Sequence, residues 1–294
     1  MAGPVGKRNN APGEIKPVGD RNAGRWVVFT DLDGTLLDFE TYRYEAAAPA
    51  VAAIRAANVP LVFCSSKTRA EQEVYRAALQ VDAPFIVENG GAIFIPAGYF
   101  AAPLPAHVVQ PPYQVIELGL PAAHIRQVLA QVRAEHHLEF YGYADLPLLE
   151  ICRLTGLDDA AAARAARREY SETILKTDFS TQTLARFNEI LAEHGLICIS
   201  GGKFHTVSGR GSDKGRAVTV LTALFRQQLG PVITVGLGDS ANDVPLLAAV
   251  DRPFLVQKPA GQWQEIALPH LTRVEGIGPL GWRQVIFGLL GHER

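Results

Sequence analysis

From Arg25 onward, short apolar runs alternate with Ala-rich segments of helical texture, a rhythm that specifies helices laid on a parallel β-sheet. RWVVFTDLD (25–33) predicts a strand, AAAPAVAAIRAAN (46–58) a helix, VPLVFCSS (59–66) a strand and TRAEQEVYRAALQ (68–80) a helix. PFIVENGGAIFIP (84–96) predicts a strand with a turn. Near the other end, SDKGRAVTVLTALFRQQLG (212–230) predicts a helix and PVITVGLGDS (231–240) a strand. NDVPLLAAV (242–250) then predicts a short helix and RPFLVQKP (252–259) a last strand. The two ends are expected to share one sheet.

Between them the Pro-rich FAAPLPAHVVQPP (100–112) ends the first unit. YQVIELGL (113–120) and LEFYGYADL (138–146) predict strands, and AAHIRQVLAQVRAEH (122–136) and LDDAAAARAARREY (157–170) predict helices. ILKTDF, TLARFNEILAEHG and LICISGGKFHTVSG continue the α/β rhythm to residue 209. The expected organisation is a leader over residues 1–24, a core of 25–107 and 208–294, and an inserted α/β unit of 108–207. The leader, rich in Gly, Pro, Asn and charge, is expected to be disordered.

Composition narrows the partners. A net charge of −2 gives no positive field to draw in nucleic acid or an anionic membrane, and no apolar stretch is long enough for a membrane span. Cys64, Cys152 and Cys198 lie among apolar neighbours without metal-ligand spacing, so they are expected to be buried thiols in a reducing cytoplasm.

Ligands of open parallel sheets bind beyond the carboxyl ends of the strands. Four predicted strands end in polar residues: Asp31 and Asp33, Ser65 and Ser66, Glu88 and Asn89, and Asp239 with Asp243 four residues on. Each alone could be a helix cap or a turn, and Lys214 alone could be a solvated first-turn lysine. As a set they form a site. Clustered carboxylates need a compensating cation, and an all-oxygen donor set favours a hard ion, which with a phosphoryl ligand points to Mg²⁺. Asp31 and Asp33, at i and i+2 of an extended strand, project to the same side, and Gly34 frees the backbone to turn away.

The ordered motifs DLDGT (31–35), a strand ending in Ser65, DKG (213–215) and GDSANDVP (238–245) resemble the haloacid dehalogenase superfamily of phosphatases. The position of the inserted unit resembles that superfamily's C2 cap class, type B. The strings CSSKTRAE, VENGGAIFIP, RREYSE, GGKFHTVSG and GLGDSANDVPLL resemble its mannosyl-3-phosphoglycerate phosphatase branch.

The resemblance implies a Rossmann-like core and a Mg²⁺-dependent phosphomonoester hydrolase that acts through an aspartyl-phosphate intermediate on a small phosphorylated sugar or glycerate, with conversion of mannosyl-3-phosphoglycerate to mannosylglycerate and phosphate as the expected reaction. Asp31 is then the nucleophile, Asp33 the general acid and base, Ser65 a donor to the phosphoryl group and Lys214 its cationic partner. Asp31, Asp239 and the carbonyl of Asp33 hold the metal, and Asn242 and Asp243 orient its shell or Lys214. The second motif reads Ser65-Ser66-Lys67 where relatives of this cap type often carry Thr-Gly-Arg. Ser65 aligns with the Thr, and Lys67 is either a further phosphate contact or a surface lysine.

Substrate contacts are expected at Asn89, Gly90, Arg167, Arg168, Lys203 and His205, the arginines suiting a carboxylate. Arg164, Arg167 and Arg168 are expected on one helical face. Glucosyl-3-phosphoglycerate, a broader range of sugar phosphates, a phosphomutase reaction and a non-catalytic phosphosugar-binding module remain the alternatives. A dinucleotide site at VGLGDSA is disfavoured because Asp239 would repel a pyrophosphate, and no P-loop motif occurs.

Overall fold

The computed structural model describes residues 25–175, 180–200 and 204–291. In chain order its elements are β1 (Arg25–Thr30), α1 (Ala48–Ala56), β2 (Leu61–Phe63), α2 (Arg69–Leu79), β3 (Phe85–Val87) and β4 (Ala92–Pro96). There follow β5 (Val108–Gln110), β6 (Tyr113–Glu117), α3 (Ala122–His136), α4 (Leu148–Thr155), α5 (Asp159–Ala165) and β7 (Ser171–Leu175). Then come α6 (Thr181–Glu193), β8 (Leu196–Ser200), β9 (Phe204–Gly209), α7 (Lys214–Leu229) and β10 (Val232–Gly238). α8 (Val244–Ala248), β11 (Arg252–Gln257), β12 (Thr272–Ile277) and α9 (Pro279–Leu290) complete the chain. The described residues pack as two compact units, one of residues 25–61 with 231–291 and the other within residues 62–230.

The first unit carries the strands β12, β11, β10 and β1, hydrogen-bonded in that order. β1, β10, β11 and β12 pair in parallel, as the buried apolar runs predict. Val27, Val28, Phe29, Val235, Leu237, Phe254 and Leu255 are all buried. α9 packs on β11, β12 and α1, and α8 on β10 and β11. Trp282 of α9 is fully buried, and its indole N–H donates to the Thr30 hydroxyl at 2.9 Å. β12 and α9 lie beyond the last strand the sequence pattern predicts. Thr272, Arg273, Glu275 and Gly276 dilute the apolar signal of β12, an edge strand.

The second unit contains a four-stranded antiparallel sheet, β3-β4-β6-β5, and a three-stranded antiparallel sheet, β7-β9-β8. β3 and β4 form a hairpin through Glu88–Gly91, and α7 packs on both. Residues 108–117 pair with β4 in the first of these sheets. α3 and α6 cover one face of the second sheet around Ile174, Phe187, Cys198 and Val207. A smaller core under α4 and α5 centres on Tyr143, Ile151 and Ala162.

Two local expectations are corrected. The predicted strand at 138–146 is a 3₁₀ turn over Tyr143–Asp145: Asp145 accepts from the Gly142 amide at 2.9 Å and turns the chain, leaving one bridge between Gly142 and Ile174. Cys152 is half-exposed beside Asp159 rather than buried, whereas Cys64 and Cys198 are buried; all three are free thiols. Among the described residues no helix is long and apolar enough to cross a membrane.

Candidate active site

In the first unit the Asp31 amide donates to the Leu237 carbonyl at 2.9 Å, extending the β1–β10 ladder by one residue beyond Thr30. The side chains of the two strand ends are thereby set side by side. Asp31, Asp239 and Asp243 each offer a carboxylate oxygen, these oxygens lie within 4.8 Å of one another, and all three residues are buried. Three buried carboxylates at that spacing repel one another strongly in low dielectric. An all-oxygen set of hard donors fits a divalent cation such as Mg²⁺.

The loop after β1 folds tightly over itself. Leu37 N–H donates to Leu32 at 2.8 Å, and Gly34 N–H to Leu37 at 3.0 Å. Gly34 has φ +75°, and a Cβ built on it would lie 2.9 Å from Asp239 Oδ2, so the residue supplies both the turn and the close approach to the second strand end. Leu32 is fully buried between the buried Asp31 and the half-buried Asp33, in the turn that follows β1. Asp38, beyond the loop, caps a local turn by accepting from the amides of Glu40 and Thr41 and the Thr41 hydroxyl. These bonds, led by the Thr41 hydroxyl, hold its carboxyl below the ordinary aspartate value.

Asp243 enters the carboxylate cluster itself, where the resemblance gives it an orienting role. Its Oδ2 also accepts from the amides of Asp239 and Ser240 at 3.0 and 3.1 Å and from the Ser240 hydroxyl at 3.2 Å. One side chain thus lends charge to the cluster and fixes the loop that carries Asp239. Asn242 is exposed and accepts from the Ser240 hydroxyl.

In the second unit, Ser65 is fully buried where the strand edge reaches β3: its amide donates to Ile86 and its carbonyl accepts from Asn89 at 2.9 Å. Ser65 Oγ also accepts from the Lys67 amide at 3.3 Å. The cap of α2 is Thr68, in a reciprocal capping box with Glu71, so neither Ser65 nor Ser66 is taken up as a helix cap. Lys67 is nearly buried, 3.6 Å from Glu71, and is not a surface lysine.

Lys214 is 1% exposed at the first position of α7, directly after Asp213, whose carboxylate caps the helix by accepting from Arg216 N–H at 2.8 Å. Gly90 lies against this helix start. Its φ is +95°, and an added Cβ would lie 2.2 Å from the Asp213 carbonyl oxygen and 2.9 Å from the Lys214 nitrogen. The Asn89-Gly90 turn and Lys214 are therefore in backbone contact.

The arginines are placed differently from expectation. α5 ends at Ala165, so Arg164, Arg167 and Arg168 do not share a helical face. The chain leaves the helix because residues 168–171 are drawn to Glu88. Glu88 is fully buried and accepts from the amides of Glu169 and Tyr170 at 2.8 and 3.1 Å and from the Ser171 hydroxyl at 2.5 Å. Arg168 completes the group, 3.7 Å from Glu88, with bonds to Ser171 Oγ at 3.0 Å and the Ser66 carbonyl at 3.3 Å. Burial pushes the Glu88 carboxyl up, while Arg168 and the three donors pull against it.

Arg167 is exposed. His205 is 1% exposed and points, like Val207 two residues on, to the helix-covered face of its sheet. Lys203 lies outside the described residues. Glu88 is the residue whose importance sequence reasoning missed: its position at the end of an apolar strand was visible, its partners 81 to 83 residues away were not.

Residues 28–111 match the family model of haloacid dehalogenase-like hydrolases. Over 266 residues, 90% of this chain and 97% of the relative, the sequence is 44% identical to a glucosyl-3-phosphoglycerate/mannosyl-3-phosphoglycerate phosphatase of Methanococcoides burtonii. A mannosyl-3-phosphoglycerate phosphatase of Pyrococcus horikoshii is 38% identical over 78% of this chain and 90% of its own. Among solved structures, a Thermoplasma acidophilum protein superposes with a TM-score of 0.64 at 15% identity, covering 90% of this chain and 97% of its own. A haloacid dehalogenase subclass IIB sugar phosphatase superposes with a TM-score of 0.55 at 17% identity, covering 84% and 93%. At such identities the two structures speak to the fold alone. The fold, the strand-end carboxylates and the sequence relatives agree: the chain belongs to the haloacid dehalogenase-like hydrolases, within the family of phosphatases that these relatives represent.

Proposed function

We propose that this phosphatase hydrolyses mannosyl-3-phosphoglycerate and glucosyl-3-phosphoglycerate to the glycosylglycerate and phosphate, in the cytoplasm and with Mg²⁺. The observation that carries the reading is the buried cluster of Asp31, Asp239 and Asp243 at adjacent strand ends, in a chain 44% identical to a phosphatase named for both substrates. Both epimers are proposed because the names of the Methanococcoides burtonii and Persephonella marina relatives, 44% and 36% identical, carry both. Three free cysteines suit a reducing compartment.

In this reading Asp31, Asp239 and Asp243, with the backbone carbonyl of Asp33, would hold the Mg²⁺, and its charge would offset that of the carboxylates and of the phosphoryl oxygens. A carboxylate oxygen of Asp31 attacks phosphorus and the ester P–O bond breaks. Asp33 gives its proton to the departing alkoxide, then takes one from the water that attacks the aspartyl phosphate, releasing phosphate and restoring both side chains. Motif order assigns Ser65 and Lys214 to the phosphoryl oxygens. Asn89, Gly90 and Arg167 are assigned to the glycosyl-glycerate portion, the exposed guanidinium suiting the carboxylate. In this reading the inserted unit of residues 108–207 is the cap that selects this leaving group. Arg168 and His205, engaged or buried elsewhere, drop out of that role.

The test is a panel of both glycosyl-3-phosphoglycerates, trehalose 6-phosphate, hexose phosphates and p-nitrophenyl phosphate, ranked by kcat/KM for phosphate release. The glycosyl-3-phosphoglycerates are expected to lead, and hexose phosphates that equal them would remove the substrate assignment.

A further inference from the structure

The Glu88 cluster lies outside the reacting groups, and nothing in the chemistry above uses it. Glu88, Asn89 and Gly90 all have positive φ, at 49°, 58° and 95°. Two successive non-glycine residues in that region are disfavoured. The turn persists because its surroundings over-determine it: Glu88 N–H donates to Lys67 at 3.1 Å, Asn89 N–H to Ser65 at 2.9 Å, and Gly90 N–H to Val87 at 3.0 Å.

The Glu88 carboxylate then joins this turn to a distant piece of chain. All its hydrogen-bond partners are donors, and all lie in residues 169–171, with Arg168 alongside. The same piece is fastened on both flanks, by the Thr68 hydroxyl donating to the Arg164 carbonyl at 2.9 Å and by Arg69 pairing with Glu169 at 2.9 Å. Arg167 sits between the two fastenings with its side chain exposed.

We propose that Glu88 is a positioning residue for leaving-group recognition: its buried carboxylate holds the Asn89-Gly90 turn and the segment bearing Arg167 in one fixed frame. The inference rests on the assignment of Asn89, Gly90 and Arg167 to the leaving group. It adds the residue that sets their mutual position without itself touching substrate. A frame of this kind matters for large leaving groups and not for small ones. A substrate that engages both pieces gains from having them pre-set, whereas one that engages only the phosphoryl residues does not.

Glu88→Gln keeps the size of the side chain but turns one acceptor oxygen into a donor facing donors. In the full-length protein, the ratio of kcat/KM for the panel's preferred ester to that for p-nitrophenyl phosphate is expected to fall about tenfold, mostly through KM. kcat on p-nitrophenyl phosphate is expected to stay within about twofold of the parent, because the backbone bonds of Asn89 to Ser65 and of Gly90 to Val87 still hold the turn against α7 while the segment bearing Arg167 loosens. Hydrogen exchange at the Glu169 and Tyr170 amides is expected to quicken. Ser171→Ala, which removes one donor and leaves the backbone amides, is expected to move the ratio the same way by less, and serves as the readout should Glu88→Gln not fold. Equal losses on both esters, or an unchanged ratio, overturn the proposal. Because the ratio is taken against whichever ester the parent prefers, failure of the glycosyl-3-phosphoglycerates as substrates is seen separately in the parent protein.

Discussion

Gly90→Ala probes the link between the Asn89-Gly90 turn and Lys214, the residues proposed to bind the leaving group and the phosphoryl group. The new methyl carbon would lie 2.2 Å from the Asp213 carbonyl oxygen, 2.4 Å from its carbon and 2.9 Å from the Lys214 nitrogen. A carbon–oxygen contact needs upward of about 3.2 Å, so roughly 1 Å must open between two stretches of backbone. Neither can yield cheaply. Asp213 caps α7 through Arg216, and the turn is bonded to Ser65 and Val87.

The positive φ of position 90 costs a non-glycine residue about 1 kcal/mol, and forced overpacking adds about 1–3 kcal/mol. A loss of about 2–4 kcal/mol in urea-induced unfolding is expected. If α7 yields, Lys214 moves by a large part of that 1 Å, and kcat on p-nitrophenyl phosphate should fall about 100-fold. Gly98→Ala is the control. Its φ of +78° carries the same conformational penalty, but nothing lies within 4 Å of the new carbon, so it should lose about 1 kcal/mol and no activity. A Gly90→Ala protein as active and as stable as Gly98→Ala would refute the reasoning, because it would show the turn and the helix start to be independent.

Other expectations follow from the same geometry. Asp31→Asn should abolish turnover on every ester while leaving the urea midpoint unchanged or raised, since it relieves repulsion in the carboxylate cluster; substantial residual turnover would remove Asp31 from the nucleophile role. Asp243→Asn places an amide against the donors of Asp239 and Ser240, and the Mg²⁺ concentration for half-maximal activity should rise about 10–100-fold. Chelation with EDTA should stop phosphate release and added Mg²⁺ restore it, whereas unaffected turnover would sink the metal assignment. Burial pushes the Cys198 thiol up to about 12, so at pH 8 the native protein should react with Ellman's reagent at Cys152 first, and at Cys64 and Cys198 only after unfolding.

What the sequence revealed and what it hid follow a physical division. β1, β10 and β11 were legible because burial on both faces leaves uninterrupted apolar runs, and Asp31, Asp33, Asp239 and Asp243 because each ends or follows such a run. α7 was legible from its apolar spacing. The edge strand β12, exposed along part of its length, carried too few apolar residues to register. The reading of Arg164, Arg167 and Arg168 as one helical face failed because tertiary bonds to Glu88 outweigh the helix propensity of an Ala- and Arg-rich stretch. His205 could not be assigned a face from sequence: which face of β9 meets α3 and α6 depends on pairing with β7 and β8.

The central claim is that Asp31 carries the phosphoryl group. The direct measurement is rapid acid quench of the enzyme mixed with ³²P-labelled mannosyl-3-phosphoglycerate, then reduction with tritiated borohydride, which releases the ³²P of an acyl phosphate as phosphate and leaves tritium on the reduced carbon, and peptide mapping of the tritium. The tritium is expected on the tryptic peptide Trp26–Arg43, with reduction converting residue 31, and neither Asp33 nor Asp38, to homoserine. ³²P that survives reduction on the peptide containing Ser65, or reduction at Asp33 instead, would contradict it.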